Sequence, residues 1–320
     1  MYDWITASYD IKDEPHQRFI QPMVQTSEVK NMFTNTTWAN GYITNNENGR
    51  KMGYSVSDNR IKIKICPNKY VLGNNVQEAP INDVFETLQD LSNKIGVDLG
   101  LFRLEKLDVT HTALTDFVPE AYFPYLCNTS GYSRHVQDTS LYYGANSNKV
   151  TLVFYDKVNE VKHGRKKQWG GKQQIPIELN GANLTRFEGR LQSNKEIQRI
   201  IGHGAFLGQL FLEEHVMQLQ NWWHNSYDSI PKKTKINWQF KDNMGHKAVK
   251  ETISNLGYMS LGRLEIEKLI ELADKQGAFN HRTEKSRIKK QLLGRFETQG
   301  MKHDIIKELD EKYKKVEPKW

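Results

Sequence analysis

The chain has 320 residues, of which 38% are hydrophobic, and 45 Lys and Arg against 38 Asp and Glu give a net charge of +7. This composition can bury a core, and neither a run long enough to span a bilayer nor a secretory signal is visible, so we expect no membrane partner. With only Cys66 and Cys127, no disulfide framework is implied and a reducing, cytoplasmic setting is expected. The basic charge favours a polyanion such as nucleic acid as partner; the alternative is ordinary solvated lysine.

The N-terminal part of the sequence is interpreted as turn-rich, followed by a strand and a helix. Residues 1–57 are polar and contain turn-like stretches. Arg60–Ile65 alternates with a period of two, which predicts a strand with one buried face. The apolar residues of 83–95 fall on one helical stripe, with Asp83 as a plausible N-cap and Gly96 as a fitting stop.

Several strands are predicted in the middle of the chain. Residues 101–111 predict a strand with imperfect alternation, which a bulge or a buried polar face would explain. Ser140–Tyr143 and Val150–Tyr155 are apolar, β-branched and aromatic around a glycine-containing loop, and predict a hairpin. Leu184–Leu191 predicts a further strand.

The last third of the sequence is helical in pattern. Glu196–Ile201 and Leu207–Trp223 have helical periodicity, and 229–235 is interpreted as a linker. Leu261–Leu272 and Thr283–Phe296 predict two amphipathic helices. A short turn between them permits a helix-turn-helix, and a helical packing appendage is the alternative.

Acidic residues on the strand 101–111 are the first candidates for a metal site. Asp108 lies between two apolar residues, where a carboxylate is costly unless it is paired or bound to a metal. With His111 it could hold Mg²⁺ or Mn²⁺, but residues three apart on a strand share a site only if the strand ends or bulges. The alternative for His111 is a hydrogen-bonded structural histidine. Glu105 is a third candidate ligand, or a surface residue.

Glu188 is the second candidate metal carboxylate. Its neighbours Arg186 and Arg190 share its strand face and could hold phosphates. The alternative is a ladder of ion pairs on one strand face, which contributes little stability if it is exposed.

Tyrosines near basic residues are the candidate nucleophiles. Attack of a phenolate on a phosphodiester gives a 5′-phosphotyrosine and a free 3′-OH, and a metal ion and a nearby lysine stabilise the developing charge. The candidates are Tyr155, with Lys157 two residues later, and Tyr142 or Tyr143 on the preceding strand. For any one of them the alternative is core packing.

A basic loop between the site strands is a candidate DNA contact. It contains Arg165, Lys166, Lys167 and Trp169. Such a loop can follow a phosphate backbone and stack a base on its aromatic ring. A solvated hairpin loop is the alternative.

Five motifs together resemble the replication initiators of the gene II/X type, which are found in filamentous phages and related plasmids. The resemblance covers residues 60–200. The motifs are Asn68-Lys69-Tyr70 with Gly73-Asn74-Asn75, then Arg103–His111, Leu141–Ser147, Phe154–Lys157 and Thr185–Leu191. One departure is that the chain has no pair of histidines separated by one residue, which many rolling-circle nickases carry.

This resemblance implies an α+β fold, with an antiparallel-sheet initiator domain over 1–228. The helical pattern after it indicates a C-terminal helical domain over 229–320, for which DNA binding and helix packing are both open. The resemblance also implies a metal-dependent, site-specific endonuclease that nicks and rejoins one DNA strand through a phosphotyrosine, and so starts rolling-circle replication. The family's matching strand supplies a site carboxylate at Asp108, and a tyrosine acts. The metal would be Mg²⁺ or Mn²⁺.

The expected partner is single-stranded or supercoiled origin DNA in the cytoplasm of a bacterial host, together with a host helicase or polymerase and without a small-molecule substrate. Two alternatives stay open. One is a non-catalytic binder of an origin or operator, and the other is a relaxase-like transfer nickase on a mobile element.

Overall fold

The computed structural model describes residues 1–11, 27–32, 39–45, 47–57, 60–163, 175–235 and 304–320, with short pieces at 270–272, 274–276, 283, 285–287 and 301–302. They form an α+β fold built on one large antiparallel sheet, as the sequence predicts. None of the helices described is long and apolar enough to cross a membrane.

Ten strands form the large sheet. In chain order they are β1 (Tyr2–Asp10), β2 (Ser27–Met32), β3 (Ala39–Thr44), β4 (Lys51–Ser57), β5 (Arg60–Ile65), β6 (Arg103–Thr115), β7 (Arg134–Gln137), β8 (Ser140–Tyr143), β9 (Val150–Asp156) and β10 (Asn183–Leu191). Across the sheet they follow the order β2-β3-β4-β5-β1-β6-β10-β9-β8-β7. The strands and the β8–β9 hairpin predicted from the sequence are confirmed.

Residues 1–57, which the sequence indicates only as polar and turn-rich, also contain the strands β1 to β4, which were not predicted from the sequence. Apolar residues alternate along β4, where Met52, Tyr54 and Val56 are buried. In β1 the residues Ile5 and Ala7 are buried in the same way. Polar residues between these positions face away from the core, so the polar composition of the segment hides its strand periodicity.

Six helices with defined bounds in the described part of the chain accompany the sheet. They are α1 (Pro67–Leu72), α2 (Ile81–Ile95), α3 (Lys157–His163), α4 (Asn194–Ile201), α5 (Glu213–Asp228) and α6 (Asp304–Lys314). The apolar stripe of α2 is buried except at Phe85, and the helix ends at Gly96, whose φ of 69° suits glycine. The helix begins after Pro80, however, so Asp83 is not its N-cap. The predicted helix from Leu207 is a 3-10 turn over Leu207–Phe211, and α5 follows it.

Helices α4, α5 and α6 pack against β6, and aromatic rings fill the layer between them and the sheet. Phe154 of β9 and Phe187 of β10 stack with ring centroids 4.4 Å apart. Trp223 and Tyr227 of α5 and Tyr313 of α6 surround this pair. This face of the central strands is therefore apolar and closed.

The close packing of α5 on the sheet explains why position 189 of β10 is a glycine. A Cβ at Gly189 would lie 2.6 Å from a ring atom of Trp222, closer than atoms approach in proteins. The strand motif that contains Glu188 therefore needs a residue without a side chain here so that α5 can approach.

Helix α6 belongs to the core of the sheet although it lies near the end of the chain. Ile306, Leu309 and Tyr313 are fully buried, and the Tyr313 hydroxyl donates to the carbonyl of Thr185 at 3.2 Å. Helix α6 lies after the domain boundary predicted between residues 228 and 229, and that boundary stays a prediction. The two helices predicted at 261–272 and 283–296 fall mostly outside the described residues.

Leu309→Ala should lower the free energy of unfolding by about 2–5 kcal/mol, because it leaves a cavity between α6 and the sheet. Lys312→Ala, on the exposed side of the same helix, is the matched control and should change stability little. Urea denaturation of the full chain measures both. Equal effects of the two variants would show that α6 does not pack on the sheet.

Candidate active site

A polar cleft of about 610 Å³ lies on the sheet face opposite α4, α5 and α6. It extends across β8, β9, β10, β6 and β1 to β5, a span of about 24 Å at the usual strand spacing. Its walls are lined by Asp3, Trp4, Thr6, Lys64, Lys106, Asp108, Thr139, Ser140, Tyr142, Tyr155, Asp156, Asn159, Glu160, His163, Glu188, Arg190 and Gln192.

Strand alternation decides which predicted residues reach the cleft. On β10, Glu188 and Arg190 line it, while the intervening strand positions face the helices. On β9 and β8, Tyr155 and Tyr142 line it from neighbouring strands. Asp108 of β6 lies opposite Arg190 in the strand register. The structure therefore brings five predicted residues into one site.

A β-bulge in β1 adds two residues that the sequence did not indicate. Tyr2 pairs with Val109 and Ile5 pairs with Leu107, so Asp3 and Trp4 together oppose the single residue Asp108. Such a bulge changes the alternation locally. As a result Asp3 and Trp4 both line the cleft.

Tyr155, Glu188 and Arg190 form a hydrogen-bonded chain at the centre of the cleft. The Tyr155 hydroxyl donates to Oε2 of Glu188 at 2.8 Å, and Nε of Arg190 donates to its Oε1 at 2.5 Å. Burial, followed by the charge of Glu188, raises the pKa of Tyr155 well above its usual value. The phenol is therefore protonated at neutral pH, with a carboxylate in place to accept its proton.

Asp108 is a carboxyl group in a crowded acidic environment. Burial is the largest cause that raises its pKa, and the nearby charge of Glu188 raises it further, well above the usual value. Arg190 acts in the opposite direction. A pair of carboxylates held close together in this way favours either a shared proton or a bound cation.

Asp3, in the cleft wall, forms a buried ion pair with Arg186, which lies behind it. Nη1 of Arg186 lies 3.1 Å from Oδ2 of Asp3, and its Nε donates to the hydroxyl of Thr112 at 2.7 Å. Oδ1 of Asp3 accepts from Nδ2 of Asn75 at 2.7 Å. Burial opposes ionisation of Asp3, but Arg186 and Lys157 hold its pKa below the usual value.

The prediction that Arg186 contacts DNA is not supported by its position, since the side chain is fully buried. Arg186→Met should instead lower the free energy of unfolding by about 3–5 kcal/mol, because it leaves the buried Asp3 carboxylate without its main partner. Denaturant unfolding measures this loss, and adding Asp3→Asn should recover part of it. The control Lys94→Met removes a lysine from an exposed ion pair with Asp90 and should cost little. A similar small cost at Arg186 would contradict the assignment.

Lys157 is also buried behind the cleft and does not line it. Its Nζ lies 2.6 Å from Oε2 of Glu160 and 5.9 Å from the centroid of the Tyr155 ring. Burial, followed by the charge of Arg186, lowers the pKa of Lys157 to about 8. Its charge reaches Tyr155 and Asp3 from within the protein, so direct contact with a phosphate is not expected.

Two predicted site residues, Tyr143 and His111, lie on the other side of the sheet. Tyr143 follows Tyr142 on β8, so it points into the core, where its hydroxyl donates to the carbonyl of Cys127. His111 lies on the helix side, because no bulge separates it from Asp108 and residues three apart on a strand face opposite sides. Its Nδ1 is 2.8 Å from Oε1 of Glu78. The position of His111 is therefore that of a hydrogen-bonded structural histidine, the alternative to a metal ligand.

Glu105 is the extra residue at a second bulge between β1 and β6, which explains the imperfect alternation predicted for this strand. Its carboxylate pairs with Lys62 at 2.5 Å and is not part of the cleft wall. The basic-loop residues Arg165, Lys166, Lys167 and Trp169 lie outside the described residues.

Comparison with known proteins identifies the family. The model of a phage family, described as the N-terminal part of a gene II-type replication-associated protein, matches residues 1–205. The chain belongs to this family. A search of curated proteins found no match.

The family match covers the part of the chain that contains the cleft. All residues that line the cleft lie within the matched segment, whereas α5 and α6 follow it. As a member of the gene II-type family, the chain is a rolling-circle replication initiator. The cleft therefore lies wholly within the family's domain.

Proposed function

We propose that this initiator nicks and rejoins one strand of its origin DNA through a covalent link to Tyr155. The observation that carries the proposal is the contact of 2.8 Å between the Tyr155 hydroxyl and the Glu188 carboxylate in a cleft of the family domain. Phenols are weak nucleophiles until a base removes their proton, and Glu188 is in hydrogen-bond reach.

In the cleavage step Glu188 accepts the phenolic proton while the Tyr155 oxygen attacks the scissile phosphorus. The bond from phosphorus to the 3′ oxygen breaks, and that oxygen takes a proton from water. The products are a 5′-phosphotyrosine and a free 3′-OH. In rejoining, a 3′-OH attacks the phosphorus and its proton passes to water. The bond from phosphorus to the Tyr155 oxygen breaks, and Glu188 returns the proton to that oxygen. Arg190, beside Glu188, stabilises the charge that develops on the phosphate.

A divalent ion, Mg²⁺ or Mn²⁺, would be held by Asp108 and Glu188. No group of three or more His, Cys, Asp or Glu side chains in the described part of the chain is arranged as a metal site. Two carboxylates with water and substrate phosphate oxygens are, however, a common arrangement for Mg²⁺. The raised pKa of Asp108 next to Glu188 supports this fit, because a cation would relieve their repulsion. Such an ion supplies Lewis-acid stabilisation of the phosphate.

Tyr142 is the second candidate nucleophile. It is half-buried on β8 and lines the cleft, and its strand is hydrogen-bonded to the strand of Tyr155. The contact with Glu188 favours Tyr155 for the first attack, and Tyr142 is then placed to take part in a second transfer.

A cleavage assay tests the proposal. Single-stranded DNA from the element's own origin is incubated with the full chain and Mg²⁺ or Mn²⁺, or with EDTA, and products are run on a denaturing gel before and after protease treatment. We expect a metal-dependent nick with protein attached to the 5′ end. Binding without cleavage on either origin strand would favour the non-catalytic origin binder. Cleavage only at a transfer origin would favour the relaxase-like nickase.

A further inference from the structure

We propose that Trp4 is a stacking platform for a nucleobase of single-stranded DNA, next to the candidate metal carboxylates. Trp4 lines the cleft directly opposite Asp108 in the strand register, at the bulge of β1. The inference rests on the proposed function only in taking single-stranded DNA as the ligand of this cleft.

The position of Trp4 differs from that of a core tryptophan. Trp223 is 2% exposed among aromatic rings on the helix side of the sheet. Trp4 is half-buried on the polar side, where its neighbours in the cleft wall are charged. A large aromatic ring on a polar face of a sheet offers a flat apolar surface that water does not solvate well.

Two lysines accompany the indole ring. The Nζ atoms of Lys64 and Lys69 lie 4.9 Å and 5.4 Å from its centroid. Lys106, on the strand next to β1, lines the same part of the cleft as Lys64. An aromatic ring surrounded by ammonium groups matches the two parts of a nucleotide, because the ring stacks a base and the lysines pair with phosphates.

The distance from the nucleophile indicates which part of the strand is held. Trp4 is on β1 and Tyr155 on β9, three strands apart, which is about 14 Å across the sheet. Along β6 they are level with Asp108 and Thr112, which adds an offset of about 13 Å, so about 20 Å separates their backbones. The base on Trp4 is therefore not the one attached to the scissile phosphate but one a few nucleotides away. A base that stacks there displaces an ammonium group from the ring, and that group then reaches the flanking phosphate.

The test compares two strands of equal charge, in EDTA so that no cleavage occurs. One is a fluorescein-labelled oligothymidylate, and the other is an abasic strand of the same length. Fluorescence anisotropy gives the dissociation constant of the full chain for each. Trp4→Leu should weaken binding of oligothymidylate about 5- to 100-fold and leave binding of the abasic strand unchanged. Trp4→Phe, which keeps an aromatic face, should retain most of the affinity.

Two controls complete the experiment. Trp320→Ala removes an exposed tryptophan outside the cleft and should change neither affinity. Lys64→Ala should weaken both strands and reduce the salt dependence by about one counterion. Normal binding of the abasic strand also shows that a variant is folded.

Three results would overturn the proposal. They are unchanged binding of oligothymidylate by Trp4→Leu, equal weakening of both strands by that variant, and a wild-type chain that binds both strands alike. The test is independent of nicking. If the wild-type chain does not cleave DNA but Trp4→Leu loses base-dependent binding, the proposed function is contradicted and this inference stands. If the wild-type chain cleaves DNA but Trp4→Leu binds both strands as the wild type does, the proposed function stands and this inference is contradicted.

Discussion

Tyr155→Phe should reduce origin nicking on the order of 10⁴-fold or more and leave binding of origin DNA nearly unchanged. The substitution removes one oxygen atom, the one that donates to Glu188 at 2.8 Å. Without it no covalent link can form at this position, and losses of this size are typical when a catalytic nucleophile is removed. Single-turnover cleavage measures the rate, and anisotropy measures the binding.

The neighbouring tyrosines provide matched controls for this variant. Tyr143→Phe removes a hydroxyl that donates to a backbone carbonyl in the core, so it should cost some stability and leave the cleavage rate intact. Tyr142→Phe removes a hydroxyl from the cleft without the Glu188 contact and should keep the first nick. If Tyr142→Phe abolished nicking while Tyr155→Phe cleaved normally, the roles of the two residues would be reversed.

Asp108→Asn should lower nicking by about 10³-fold and at the same time stabilise the fold by about 1 kcal/mol at pH 7. The activity falls because one of the two carboxylates proposed to hold the metal is lost. The stability rises because the amide carries no charge in a largely buried place next to Glu188, where the pKa of Asp108 is raised.

The stability change should depend on pH in a defined direction. Because the pKa of Asp108 is higher in the folded than in the unfolded protein, the folded state binds the extra proton between the usual aspartate value and the raised one. Within that window the free energy of unfolding contributed by this group falls as pH rises. Urea denaturation at several pH values should show this slope in the wild type and lose it in Asp108→Asn.

Glu105→Gln is the control for this prediction. Burial opposes ionisation of Glu105, but its hydrogen bond with Lys62 lowers its pKa, so its contribution to stability is lost as pH falls, the opposite direction. Because Glu105 is outside the cleft wall, cleavage should be unaffected. The role given to Asp108 would be contradicted if Asp108→Asn nicked DNA at the normal rate. It would also be contradicted if the two variants lost nicking activity to the same extent.

Local periodicity accounts for much of the fold that could be predicted. The alternation in β5 and the stripe of α2 each depend on residues close in sequence, and both predictions are confirmed. Alternation would also have separated Tyr142 from Tyr143, since neighbours on a strand face opposite sides of a sheet.

The parts of the site that could not be predicted depend on contacts distant in sequence. Asp3 pairs with Arg186, 183 residues later, and this partner turns an apparent phosphate ligand into a buried structural group. The bulge that brings Trp4 to the cleft is visible only when β1 is paired with β6. No local pattern in the first residues of the chain indicates that pairing.

The most direct test of the account is to locate the covalent link between protein and DNA. Wild-type protein is allowed to cleave a short origin strand, the complex is digested with trypsin and nuclease, and the peptide that retains a nucleotide is sequenced by mass spectrometry. The account predicts a phosphodiester on Tyr155. A link on a tyrosine outside the cleft, or cleavage that leaves no covalent link on the protein, would contradict it.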